Sequence, residues 1–140
     1  MTIATALTQM ASILETNTDA VRAYANPPES LAEFPCFVLE WLRGDLGMAA
    51  AGDTSQQLLT AVVALYANRQ VLATSSAVAR PFITSVFEAL VGNATLNGAA
   101  LVVEDIRFEG PGQIDYAGQQ YFGIRFEVDV LFKDDTTFAL

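Results

Sequence analysis

From Phe122 to Phe132 every second residue is apolar: Phe122, Ile124, Phe126, Val128, Val130 and Phe132. Gly123, Arg125, Glu127 and Asp129 fall between them. A period of two places these sets on opposite faces of one strand. The stretch Tyr121–Phe132, at about 3.3 Å per residue, makes a strand roughly 40 Å long, about twice the usual length. Such a strand needs other strands beside it and a helical layer over its apolar face. Its other face, charged but not basic, must meet water or another subunit.

The rest of the chain divides by the same reading. Ile3, Leu7, Met10 and Leu14 recur at helical spacing and predict an amphipathic helix over about residues 3–15, with Thr2 placed as its N-cap. Residues 19–25 read as a short turn or strand, and Asn26-Pro27-Pro28-Glu29-Ser30 as a breaker. Pro35 opens an apolar strand over Cys36–Leu42. Gly44–Ser55, rich in glycine and alanine and containing Asp45 and Asp53, reads as a long mobile loop between two strands. Leu58–Ala67 reads as a strand covered on both faces.

Residues 71–91 turn helical, with Val78, Phe82, Val86 and Leu90 on one stripe reinforced by Ile83 and Phe87. Pro81 either starts the main helix or kinks a longer one, and Gly92-Asn93 ends it. Leu101–Glu109 is a strand that Gly110-Pro111-Gly112 is expected to break. Tyr116-Ala117-Gly118 leads into the final strand, and residues 134–140 form a short tail. No internal repeat of fixed period stands out. The expected fold is a single α+β domain over residues 1–140. Its sheet is mixed, mainly antiparallel and four- to five-stranded, with two helices packed on one face.

Composition sharpens this picture. Of 140 residues, 52% are hydrophobic and only 16% charged, against about 25% charged in ordinary soluble domains. No apolar run approaches the roughly 20 residues of a bilayer span, so no membrane partner is expected, and the excess apolar surface points to partner subunits. A net charge of −9 argues against a surface that tracks phosphates. Six of the seven cations are Arg, which suits fixed bidentate pairs. The chain has no His, which removes the usual general base and the commonest transition-metal ligand. The single cysteine, Cys36, sits in an apolar run and reads as a buried inert thiol. No basic-then-apolar leader opens the chain, so folding in a reducing cytoplasm is expected.

Candidate chemistry is sparse. Thr74, Ser75 and Ser76 offer hydroxyls but no His to activate one, and the only Lys, Lys133, lies in another element. Gly110-Pro111-Gly112 precedes no helix and is no phosphate loop. The acidic residues are the one plausible set. Glu127 and Asp129 share a strand face with Arg125, and Glu104, Asp105, Glu109 and Asp115 lie in the preceding strand and turn. Paired carboxylates could hold a divalent cation or perform acid/base work, although their spacing matches no calcium loop. The reading favoured by the residues is a solvated or inter-subunit face, with Arg107 and Arg125 offsetting the carboxylates across strands.

The C-terminal half resembles a known family. A helix over Pro81–Leu90 is followed by Asn93-Ala94-Thr95-Leu96-Asn97-Gly98 and a strand. Tyr116-Ala117-Gly118-Gln119-Gln120-Tyr121-Phe122-Gly123-Ile124-Arg125-Phe126 then runs on to Val130. This order is similar to the tail terminator (tail completion) proteins of tailed bacteriophages, whose helix ends in a Thr-Leu-Gly-Gly-like turn and whose last strand reads Tyr-x-Gly-x-x-Phe/Tyr-x-Gly-Ile-x-Phe. Asn97 stands where the family often has Gly.

The resemblance implies a tail-terminator-like fold and a six-membered ring on the head-proximal end of the tail. One face of such a ring caps the tail tube and ends its elongation. The other docks the neck or head-completion protein, and DNA passes through the bore without sequence-specific binding. No catalytic residue, cofactor or metal is implied, and the expected location is the virion after assembly in the host cytoplasm. Six chains at −9 would carry about −54, which makes a repelling lumen if enough carboxylates face inward. Asp45, Asp53, Arg125, Glu127 and Asp129 are the candidate ring or lumen surface. The alternatives are a neck adaptor or stopper, a tail tube subunit, a small enzyme or ligand-binding domain with an acidic site, and a generic oligomeric scaffold.

Overall fold

The period-two pattern sets the centre of the sheet. The computed structural model describes residues 3–46, 56–68 and 73–133. In order these form α1 (Ile3–Asn17), β1 (Arg22–Tyr24), β2 (Cys36–Leu46), β3 (Gln56–Asn68), α2 (Ala73–Ala79), α3 (Pro81–Val91), β4 (Val102–Tyr116) and β5 (Gln119–Lys133). The strands lie in the order β1-β2-β3-β5-β4. Only the short β1 is parallel to its neighbour; the β2–β3, β3–β5 and β5–β4 pairs are antiparallel. The fold is therefore α+β, with a mixed, mostly antiparallel five-stranded sheet.

Phe122, Ile124, Phe126, Val128, Val130 and Phe132 are all buried, facing the helices as their alternation requires. Phe37, Leu39, Leu59, Ala61, Val63 and Leu65 continue this face across β2 and β3, and Met10, Leu14, Phe82, Val86 and Leu90 meet it from α1 and α3. Phe37 packs edge-on against Phe82 at 5.8 Å, and Trp41 against Phe132 at 6.2 Å. Each such buried side chain contributes about 1.5–3 kcal/mol, so this face holds most of the stability. Gly123 lets β5 close on β3: a Cβ there would overlap the Leu65 carbonyl.

The other face has a smaller core over one end of the sheet. Leu31, Cys36, Val38, Ala64, Tyr66 and Tyr121 are buried together there, with Phe34, Ile114 and Tyr116 packed against them. The segment 25–35, which the prolines keep out of helix or strand, supplies Leu31 and Phe34. Phe34 stacks on Tyr121 at 5.7 Å, Tyr66 meets Tyr116 and Tyr121 edge-on at 5.4 and 5.5 Å, and the Tyr116 hydroxyl donates to the Pro28 carbonyl.

Three expectations change in detail. Gly110-Pro111-Gly112 bends β4 without ending it; the strand continues to Tyr116. β4 lies at the sheet edge, where a proline without an N–H is tolerated, and Gly110 takes φ 107 to absorb the irregularity between Glu109 and Gly112. Of the two readings of Pro81 the first holds, since α3 starts on the proline after a separate α2 that ends at Ala79. That break takes Val78 off the expected stripe (45% exposed), and Phe87 also faces outward, while Phe82, Val86 and Leu90 are buried. Finally, β2 runs on to Leu46, so Gly44 and Asp45 are strand residues. Residues 47–55 with Asp53, the proposed cap Thr2 and the tail 134–140 lie outside the described residues.

Candidate functional site

Beyond the tyrosine-rich cluster, the sheet face opposite the helices is laid out by register. Glu127 lies opposite Arg107 of β4 and Val62 of β3, and Asp129 opposite Asp105 and Thr60. Thr60 in turn lies opposite Arg43, and Leu58 opposite Asp45. Four strands thus bring Arg43, Asp45, Asp105, Arg107, Arg125, Glu127 and Asp129 to one surface.

Arg107 is its hub. Its guanidinium donates to Asp129 at 2.8 and 3.1 Å, to Glu127 at 3.2 Å and to Asp105 at 3.3 Å. Arg43 donates to the same Glu127 oxygen at 3.3 Å, and Arg125 reaches the other at 3.6 Å. The Thr60 hydroxyl donates to Asp129 at 2.7 Å. The planar five-donor fork of arginine allows one side chain to bridge several carboxylates.

These contacts fix the protonation states. The hydrogen bond from Arg107 holds the Glu127 carboxyl below the usual carboxylate range. Asp129 is lowered chiefly by the same arginine and further by Thr60, against a smaller opposing effect of burial. Arg107 is raised in turn, first by Asp129 and then by Glu127. Carboxylates held this firmly as anions are poor proton donors near neutral pH. Each is also engaged by an arginine, so the cluster acts as an ionic lattice that ties β2, β3, β4 and β5 together. Among the described residues no group of three or more His, Cys, Asp or Glu is placed to hold a metal ion.

On this face the three arginines offset Asp105, Glu127 and Asp129, while Glu40, Asp45 and Glu109 leave it a net negative charge. Glu127, Asp129 and Arg125 come together as expected, and Arg107 offsets the carboxylates across the strand pair. Asp45 is exposed on the same face, two residues beyond Arg43. Arg43 is the participant that sequence reasoning missed. Strict alternation from Phe37 through Leu39 and Trp41 would put it on the helical face, but an irregularity at Leu42 turns it over. Cys36 is buried, and burial pushes its thiol up to about 11, which suppresses thiolate chemistry at neutral pH.

A shallow groove of about 340 Å³ lies on the lattice, lined by Arg107, Phe108, Glu109, Arg125 and Glu127, and two more lie nearby. One of about 310 Å³ lies beside it, lined by Glu40, Val62, Ala64, Tyr66, Ile114 and Arg125. The other, about 180 Å³ on the helical side, runs between α3 and β4, with Phe87, Val91, Val103 and Ile106 on its walls and Glu104 and Asp105 at its rim. Among the described residues no helix is long and apolar enough to cross a membrane. The chain matches no protein-family model and no curated protein.

Proposed function

We propose that this chain is a structural subunit that assembles with copies of itself into a ring at the head-proximal end of a phage tail. There it caps the tube and presents its other face to a neck or head-completion protein, with DNA passing through the bore. It works by shape and contact and carries out no catalysis.

The β4–β5 hairpin carries the reading, because the residues behind the resemblance have backbone reasons to be there. Ala117 and Gly118 take φ 50 and 81 at the turn, the conformation of a tight two-residue hairpin. Gly123, the second glycine of the motif, sits where any side chain would strike β3. Among the described residues β1 covers just Cys36–Val38 of β2, which leaves the rest of that edge open. Contact between this edge and an unlike surface of the next copy is heterologous and generates a ring when the rotation closes.

The charge of the bore falls to acids outside the arginine lattice, Asp45 and Glu40 among them. Negative-stain imaging of the purified protein, alone and with tail tubes, tests the proposal. Annuli that cap one end of each tube are expected. Stacking into open-ended tubes would make it a tube subunit, annuli that bind only neck proteins would make it an adaptor, and monomers that leave the tubes bare would refute the ring.

A further inference from the structure

The tetrapeptide Ile-Arg-Phe-Glu occurs twice, at Ile106–Glu109 in β4 and at Ile124–Glu127 in β5. The two copies lie side by side and antiparallel, centred on each other: Arg107 opposite Glu127, Phe108 opposite Phe126, and Glu109 opposite Arg125. The motif is therefore complementary to itself. Antiparallel pairing about its Phe places Arg against Glu on both sides, and the Phe108 and Phe126 rings meet at 6.2 Å. In β5 the motif is flanked by strands on both sides, but in β4 its outer edge is unpaired among the described residues.

We propose that this free edge binds the same edge of a second copy of the chain, antiparallel, about a two-fold axis through Phe108. Phe108 then faces Phe108 of the second copy, and Arg107 faces Glu109 in both directions. The contact is isologous and closes at two copies. It repeats between molecules the pairing already made within one, a form of strand addition.

Charge selects the register. Moving the axis to residue 107 would set Arg against Arg, and moving it to 109 would set Glu against Glu. Register irregularities at Glu104 and between Glu109 and Gly112 interrupt the edge on either side of Asp105–Glu109, which limits how far the pairing runs. Apolar surface on the helical side of this edge supports the same contact. Phe108 is 49% exposed, and Phe87 and Val91 of the adjoining groove are each 55% exposed. A second copy seated on β4 removes such surface from water on both molecules at once. The inference does not depend on the ring, which needs a separate contact between unlike surfaces.

Mild oxidation of a Phe108→Cys variant tests it, since the native Cys36 is buried. Directly opposed Cβ atoms lie about 4.5–5.5 Å apart, so a disulfide-linked dimer is expected. An Asp115→Cys control would place its thiols more than about 40 Å apart in this register and should link at least about tenfold more slowly. In sedimentation equilibrium, Phe108→Asp should weaken the dimer by about a hundredfold through like charges on the axis. If that variant fails to fold, the cysteine pair still decides. A wild-type chain that stays monomeric at high concentration, or linkage at position 108 no faster than at 115, overturns the proposal. Annuli seen in the microscope together with linkage at position 108 no faster than at 115 would leave the ring standing and remove only this contact.

Discussion

Ile106–Glu109 and Ile124–Glu127 have the same four residues and different fates. Phe126 is 1% exposed beneath the helices, whereas Phe108, directly across the ladder, is 49% exposed at the sheet edge. Arg107 bridges three carboxylates, while Arg125 makes one contact at 3.6 Å. Position in the sheet, not local sequence, decides whether the motif builds a core or offers a surface. The central copy has strands on both sides and helices above; among the described residues the edge copy has one partner strand and lies at the margin of the helical layer. A motif that satisfies itself in the middle of a sheet remains available for pairing at the rim.

The contrast can be broken most sharply at the two phenylalanines. Phe126→Ala should cost about 3–5 kcal/mol, the loss for a buried aromatic, and Phe108→Ala about 1 kcal/mol or less in the isolated subunit. Urea unfolding at low protein concentration measures both, and equal losses would contradict the assignment of core and rim. The glycines Gly112 and Gly123 face each other across the same ladder and sharpen the point. Gly123→Ala should destabilise by about 1–3 kcal/mol because the methyl meets β3 backbone. Gly112→Ala has open space around its Cβ and should change stability by about 0.5 kcal/mol or less.

The arginines come next. Arg107→Ala should cost on the order of 1 kcal/mol, a value moderated by its partial exposure, and Arg125→Ala less.

The pH dependence follows from the same hub. Glu127 and Asp129 have folded values below those of the unfolded chain. Their contribution is complete above the ordinary carboxylate range of about 3.9–4.3 and is lost as pH falls through the lowered folded values. The drop in stability from pH 6 to pH 3 should therefore be smaller in Arg107→Ala than in the wild type, as read from urea midpoints. A drop of the same size would mean that Arg107 does not set these carboxyls.

Much of this architecture was legible in the residue pattern. The alternation of β5, the double-sided burial of β3, the helical stripe of Phe82, Val86 and Leu90 and the arginine–carboxylate face all follow from periods of two and 3.6. What escaped lies where one residue breaks the period. The irregularity at Leu42 inverts Arg43, and the one at Gly110 carries β4 past a proline that reads as a stop. The interruption before Pro81 turns Val78 outward. The echo of Ile-Arg-Phe-Glu has no fixed period to announce it; only the register shows that the two copies are partners. Asp53, expected on the ring surface, falls outside the described residues.

The central claim is that this sheet is a subunit of a closed multimer. Native mass spectrometry of the full chain at micromolar concentration tests it most directly. A dominant species of more than two copies, with the six-fold mass expected of the ring, is predicted. Dimers alone would keep the Phe108 contact and contradict the ring, and a spectrum of monomers alone would contradict both.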